Sequence, residues 1–143
     1  MFVLAIISIL AVVTVPKYRA MTDYYHLQSS VQTVTTFIRY AKQRALDEHK
    51  ANYVVITKSN NLVQVRNDPS LSLLEYQAKT LDSGVILLSS TNTIDNGVMS
   101  YVYFDNRGYL AQSNMASFTL KSSSNRTVRI NVDLLGNVTT VWD

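Results

Sequence analysis

Residues 1–16, MFVLAIISILAVVTVP, decide the fold of this chain. The run carries no charge and ends at Pro16, and residues 17–50 after it contain neither Gly nor Pro. A helix that is apolar on all sides has to be buried in a membrane or among other helices. Fifteen residues rise about 22 Å, whereas bilayer hydrocarbon is about 30 Å thick. We therefore expect the run to be part of a longer apolar segment, the alternative being a core helix of a soluble domain. The residues expected in the membrane or filament core are Phe2, Val3, Leu4, Ile6, Ile7, Ile9, Leu10, Val12, Val13 and Pro16.

The second half of the predicted helix has an apolar stripe with helical spacing. Its members recur at intervals of four and three residues, which places them on one face. Phe37 and Leu46 widen that face, and Pro16 is expected to kink one continuous helix rather than end it. The stripe predicts packing of the helix on a sheet, with a coiled-coil seam as the alternative. It consists of Leu27, Val31, Val34, Ile38, Ala41 and Ala45.

Strand patterns dominate the rest of the chain. Short β-branched and aromatic segments alternate with turn residues, and two pairs of segments flank hairpin turns at 58–61 and 122–125. The polar and apolar alternation in 127–132 is typical of an antiparallel sheet with one buried face. The predicted strands are 53–57, 62–66, 73–81, 84–88, 99–104, 118–121, 126–132 and 138–142. The fold class is therefore α+β, a long N-terminal helix packed on a small antiparallel β-sheet domain.

Composition limits the chain to one small domain. The 143 residues include no Cys, which excludes disulfides and Cys-based metal sites, and the net charge of +3 is mild. We expect residues 1–20 to form the apolar membrane or filament segment. Residues 21–143 are expected to form the helix-plus-sheet globular domain.

The apolar run VLAIISILAVVTVP of residues 3–16, followed by Lys17 and Tyr18, resembles the N-terminal helix of type IV pilins and pseudopilins. In that family a Gly and then Phe-Thr-Leu-Ile-Glu precede the run, and a dedicated peptidase cuts after the Gly and methylates the new N-terminus. Those residues are absent from this sequence, so processing is not readable from it. The later segments 103–108, YFDNRG, and 134–138, LLGNV, are similar to turns of minor pseudopilins of the GspH/FimT type.

Within that group the short, Cys-free chain most resembles the ComGD family of Gram-positive competence pseudopilins. The resemblance implies a structural subunit that assembles with other pilin-like subunits into a filament supporting DNA uptake. It also implies a single membrane pass before assembly, an extracytoplasmic C-terminal domain, and a cell-surface position afterwards. Lys17 and Arg19 oppose that orientation under the positive-inside rule. Alternatives are a minor subunit of a type II secretion system or type IV pilus, and a membrane-anchored binding module that works as a monomer.

Catalytic motifs are not recognisable in the sequence. His26 and His49 are too far apart on one helix to share a metal ion, and Asp105–Gly108 supplies one carboxylate where Ca²⁺ needs six or more oxygen ligands. We expect no enzyme activity, no cofactor, no metal and no small-molecule substrate.

Direct contact with DNA is a further hypothesis. The cations Arg107, Lys121, Arg126 and Arg129 lie close in sequence around the late hairpin and could meet phosphates without sequence preference. Tyr101, Tyr103 and Tyr109 could stack on bases nearby. The alternative is an ordinary solvated sheet face.

Overall fold

The computed structural model describes residues 2–68, 75–112 and 114–143, with side chains from residue 18 onward except those of residues 75 and 76. Within these residues, one long helix precedes nine strands. The elements are α1 (Phe2–Glu48), β1 (Asn52–Thr57), β2 (Leu62–Arg66), β3 (Glu75–Thr80), β4 (Ile86–Thr91), β5 (Ile94–Asp95), β6 (Met99–Phe104), β7 (Ala116–Lys121), β8 (Thr127–Val132) and β9 (Val138–Trp142).

The helix α1 is continuous through Pro16, as the sequence predicts. It ends at Glu48, which forms an ion pair with Arg44 one turn earlier. His49 follows with φ of 52°, the left-handed conformation in which many helices terminate. The predicted arrangement of one long helix packed on antiparallel strands is confirmed.

The strands form two antiparallel sheets, a division that the sequence does not predict. The first sheet has five strands in the order β3-β2-β1-β6-β5, and the second has four in the order β4-β7-β8-β9. Both predicted hairpins are present, β1–β2 and β7–β8. The fourth strand begins at Ile86 rather than Gly84, and β5 was not predicted. Of the predicted strand 73–81, residues 73 and 74 lie outside the described residues.

The core lies between the helix and the inner faces of both sheets. The inner side of β1 contributes Val54 and Ile56, and the inner side of β7 contributes Phe118 and Leu120, all fully buried. Because α1 contacts strands of both sheets, it is the element that joins them into one core.

Two turns of the same kind fasten the sheets to the end of α1. In each, an Asp carboxylate accepts a hydrogen bond from the backbone N–H four residues later, Asp105 from Tyr109 and Asp133 from Asn137, at 2.9 and 2.8 Å. The fourth residue of each turn is a Gly with positive φ, Gly108 at 74° and Gly136 at 75°. We call these two Asp-x-x-Gly segments, 105–108 and 133–136, the paired turns.

The paired turns lie against successive turns of the helix. Gly108 is so close to Leu46 that an added Cβ would come within 2.9 Å of its side chain, and Gly136 has the same relation to Lys42. The Lys42 Nζ also donates a hydrogen bond of 2.8 Å to the carbonyl of Leu135. Because Lys42 and Leu46 are four residues apart, they lie on one side of α1, and the paired turns therefore hold it at two neighbouring points.

A polar junction links the two sheets away from the helix. The Asp95 carboxylate accepts hydrogen bonds from Lys58 at 2.6 Å and from Ser100 at 3.0 Å, both in or beside the first sheet. Ser90, in the second sheet, donates to Ser100 at 3.0 Å. The Gly97 N–H also donates to the Asp95 carboxylate, at 2.8 Å. The bond from Lys58 first, then those from Gly97 and Ser100, lower the pKa of Asp95 from 3.8 to about 2.

We predict that this junction makes stability depend on pH below 4. A carboxylate with a pKa lower in the folded than in the unfolded chain stabilises the fold above its ordinary pKa, and loses that contribution as pH falls through the lower value. Asp95→Asn should therefore be less stable than the parent at pH 5, and the difference in unfolding free energy should shrink between pH 4 and pH 2. Urea unfolding at each pH measures this difference. A gap that stays constant down to pH 2 would show that the ionised carboxylate contributes nothing.

Candidate functional site

The six stripe residues predicted to pack on the sheet all lie in the hydrophobic core. Leu27, Val34, Ile38, Ala41 and Ala45 have no exposed surface, and Val31 is 6% exposed. Phe37 is buried as well, whereas Leu46 is 39% exposed and covers Gly108 instead of extending the core. The part of α1 from residue 27 to residue 45 is thus a component of the globular domain.

The helix before Leu27 has a different environment. Tyr18, Met21 and Tyr25 are 71%, 55% and 54% exposed, and their spacing of three and four residues places them on one side of α1. Tyr24, on a neighbouring side, contacts the end of the second sheet: its ring centroid is 5.5 Å from that of Trp142. We call Tyr18, Met21, Tyr24, Tyr25 and Trp142 the aromatic collar. It lies beside the place where the helix leaves the domain.

The residues predicted for the membrane or filament core, between Phe2 and Pro16, belong to α1, but their side chains lie outside the described residues. Among the described residues, no helical segment combines the length and the apolar character needed to cross a bilayer.

The four predicted cations do not form one cluster. The Arg126 guanidinium carbon lies 5.6 Å from the centroid of Tyr24, at the start of the packed part of α1. Arg107 is in a paired turn, next to Gly108. Gly108 lies against Leu46, at the C-terminal end of α1. Tyr24 and Leu46 are about 33 Å apart along the helix, at ~1.5 Å per residue. The expectation of a single region is therefore wrong for Arg107, because consecutive loops of this chain alternate between the two ends of the domain.

Lys121 and Arg129 do share a face. In the β7–β8 pairing Lys121 is opposite Thr127 and Arg129 is opposite Thr119, and all four alternate with buried core residues. Their side chains therefore project from the outer face of the second sheet. Arg129 is exposed, Lys121 is half-buried, and the four described strands of this sheet contain no Asp or Glu.

The tyrosines expected beside these cations lie elsewhere. Tyr101 and Tyr103 are on the outer face of the first sheet, where the Tyr53 and Tyr103 rings stack with centroids 5.0 Å apart. Burial first, then the neighbouring Tyr103, Tyr101 and Asp68, raise the pKa of the Tyr53 phenol. Tyr109 is in the loop after Gly108. The three predicted tyrosines therefore do not form a stacking surface beside Lys121 and Arg129.

In the part of the chain that the structure describes, no group of three or more His, Cys, Asp or Glu side chains is placed to hold a metal ion. The Asp105 carboxylate, considered above for Ca²⁺, accepts hydrogen bonds from the N–H groups of Arg107 and Tyr109 within its own turn.

Solved structures share the architecture described above. The type IV minor pilin FimU of Pseudomonas aeruginosa superposes with a TM-score of 0.67, covering 85% of this chain and 92% of that one at 12% identity. The minor pseudopilin EpsH of the Type 2 Secretion System of Vibrio cholerae gives 0.62, with 82% and 97% covered at 10% identity. This chain has the type IV pilin fold. No protein-family model and no curated protein sequence matches it. At these identities the likeness establishes the fold, and the pilin fold was the outcome that the resemblance in residues 3–18 predicted.

Proposed function

We propose that this chain is a non-enzymatic minor pilin-like subunit. In this proposal it is anchored in a membrane before assembly and then joins other pilin-like subunits in a filament. The observation that carries the proposal is the division of α1. One face of the helix is buried in the core from Leu27 to Ala45, whereas Tyr18, Met21 and Tyr25 before it are exposed. A pilin-type fold with a helix that extends beyond its own domain supports assembly through that helix. In this proposal residues 1–20 are the assembly segment and residues 21–143 the displayed domain.

The finer proposal is a competence-type filament of the kind formed by the ComGD family, which supports DNA uptake. It rests on the short Cys-free chain. The segment 103–108, which contains one of the paired turns, supports the wider GspH/FimT type. The alternatives remain a minor subunit of a type II secretion system or type IV pilus, and a membrane-anchored monomer outside any filament.

Cysteine cross-linking in cells separates the filament subunit from the monomer. Because the chain has no cysteine, Met21→Cys places a single thiol on the exposed side of the helix. A bismaleimide should then link the chain to a second pilin-like subunit that carries its own introduced cysteine. Thr36→Cys, exposed on the packed part of α1, is the matched control. Absence of any subunit-sized adduct from Met21→Cys would contradict assembly through the helix.

Deletion of the gene should abolish transformation if the filament is of the competence type, and protein secretion or pilus formation if it belongs to an alternative system.

Non-specific DNA contact is proposed for the outer face of the second sheet, on the pair Lys121 and Arg129 alone. We expect Lys121→Gln with Arg129→Gln to weaken DNA binding by the purified protein, because two phosphate contacts are lost. The slope of log affinity against log salt should fall by about two. Arg107→Gln, at the other end of the domain, is the control and should leave the slope unchanged. If the double variant binds like the parent at every salt concentration, this face does not contact DNA.

A further inference from the structure

The aromatic collar has a composition unlike the rest of the helix surface. Tyr18, Met21 and Tyr25 are more than half exposed, and Trp142 is 44% exposed although its ring packs on Tyr24. Arg126 covers the Tyr24 ring, and Asp143 lines the shallow cleft that these residues enclose. Arg19 is exposed on the preceding turn. Large rings are therefore combined with charges of both signs at this end of the domain.

Such a combination suits the layer of lipid headgroups. Tyr and Trp are enriched at membrane–water interfaces because each has an apolar ring and a polar atom, and Arg extends its charge from apolar surroundings toward water. A headgroup layer, which carries positive and negative charges, can pair with Arg126 and with Asp143 alike. The outer face of the described strands of the second sheet offers no comparable set of rings.

Along the helix, the collar begins at the depth of the headgroup layer and ends just above it. At ~1.5 Å per residue, Tyr18, Met21 and Tyr24 lie about 3, 8 and 12 Å beyond Pro16, where the apolar run ends. The headgroup layer extends about 5–7 Å from the hydrocarbon on each side. A tilt of about 20°, common among membrane helices, lowers one side of the domain toward the lipid. Tyr24 and Trp142, whose ring centroids are 5.5 Å apart, come closer to the layer when the helix tilts toward their side.

We propose that the aromatic collar docks the globular domain on the headgroup layer of a lipid bilayer while the subunit is still in the membrane. This inference rests on the proposed membrane anchoring of residues 1–20. It assigns Trp142 and Arg126, both remote in sequence from the anchor, to the same lipid contact as the start of the helix. The domain then rests on the membrane by this end, with the paired turns pointing away from the lipid.

The single tryptophan of the chain makes the proposal measurable. The full chain is reconstituted in phosphatidylcholine vesicles, and flotation on a density gradient shows whether it is anchored. Vesicles then receive lipid with a nitroxide either on the headgroup or near the end of the acyl chain. We expect headgroup nitroxide to reduce Trp142 emission at least twofold, and acyl-end nitroxide to have little effect.

The control is a tryptophan moved to the other end of the domain. The variant Trp142→Phe with Tyr109→Trp has its indole near Gly108, about 33 Å further along the helix at ~1.5 Å per residue, and headgroup nitroxide should leave its emission unchanged. Equal quenching of the two proteins that both float would overturn the docking proposal and leave the anchor intact. A chain that does not float would overturn both. Trp142 emission could instead change with the protein-to-lipid ratio and not with headgroup nitroxide. That result would assign the collar to contact with a second subunit and would also overturn lipid docking.

Discussion

Ile38→Asp is expected to destabilise the domain by about 4 kcal/mol or more, which is a large part of the 5–15 kcal/mol typical of small domains. Ile38 has no exposed surface and lies in the core between α1 and the sheets. The substitution loses the burial of an Ile side chain, about 1.5–3 kcal/mol, and desolvates a carboxylate that has no partner there. Val34→Asp should act in the same way, since Val34 is equally buried.

The matched control for Ile38→Asp is Thr36→Asp, two residues away on the exposed side of the same helix. Both variants introduce an Asp into a helix interior, so the intrinsic helix penalty is nearly the same in both and the difference measures burial. Chemical denaturation followed by circular dichroism gives the two free energies of unfolding. Similar midpoints for Ile38→Asp and Thr36→Asp would mean that the helix does not dock on the sheets through this stripe.

The helix and the hairpins could be predicted from the sequence because each depends on residues that are close together in the chain. The intervals of four and three residues between Leu27 and Ala45 define one helix face without reference to the rest of the chain. Hairpin turns are equally local: Asn61 and Asn125 have φ of 51° and 65°, a conformation that Asn adopts more readily than most residues. The helix, both hairpins and the buried alternation of β7 and β8 were accordingly predictable.

The division into two sheets has no local cause. Strand β6 pairs with β1, which precedes it by more than forty residues, whereas β7 pairs with β4 and β8. Nothing in 99–104 or 116–121 distinguishes a strand of the first sheet from one of the second. The polar junction at Asp95 joins Lys58 to Ser90 and Ser100 and depends on that division. It could therefore not be predicted from the sequence either.

The same division explains the error in the predicted DNA surface. Arg107 follows β6 in the first sheet, and Arg126 precedes β8 in the second, so nearness in sequence does not bring them together. Lys121 and Arg129 share a face because they belong to one hairpin, for which the alternation is a local property. The aromatic collar was missed because Trp142 and Tyr24 are far apart in the sequence, and only the exposed Tyr18, Met21 and Tyr25 could have indicated it.

The paired turns have one feature that is visible in the sequence and one that depends on the tertiary structure. The repeat of Asp, two residues and Gly at 105–108 and 133–136 is visible in the sequence, and an Asp that accepts bonds from its own turn is a local feature. That both glycines lie against α1, at Leu46 and Lys42, is tertiary. The paired turns therefore connect a sequence repeat to the way the long helix is held against the sheets.

Gly136→Ala is expected to destabilise the domain by about 3 kcal/mol or more. Two costs combine. The φ of 75° is strained for any residue with a Cβ, at about 1 kcal/mol or more. The new methyl group would also lie 3.0 Å from Cε1 of Phe104 and 2.9 Å from Cδ of Lys42. The lysine can move, but Phe104 is fully buried, and overpacking of a core typically costs about 1–3 kcal/mol.

Gly97→Ala and Gly108→Ala separate these two costs. Gly97 has φ of 85° but no atom within 4 Å of the added Cβ, so its substitution should cost only the strain, about 1 kcal/mol. Gly108→Ala should be intermediate, because it meets Leu46, whose partly exposed side chain can move aside. Thermal and urea unfolding should therefore rank the losses as Gly136, then Gly108, then Gly97. If all three variants lose the same stability, backbone strain alone accounts for these glycines and the close contact of the paired turns with the helix and Phe104 contributes nothing.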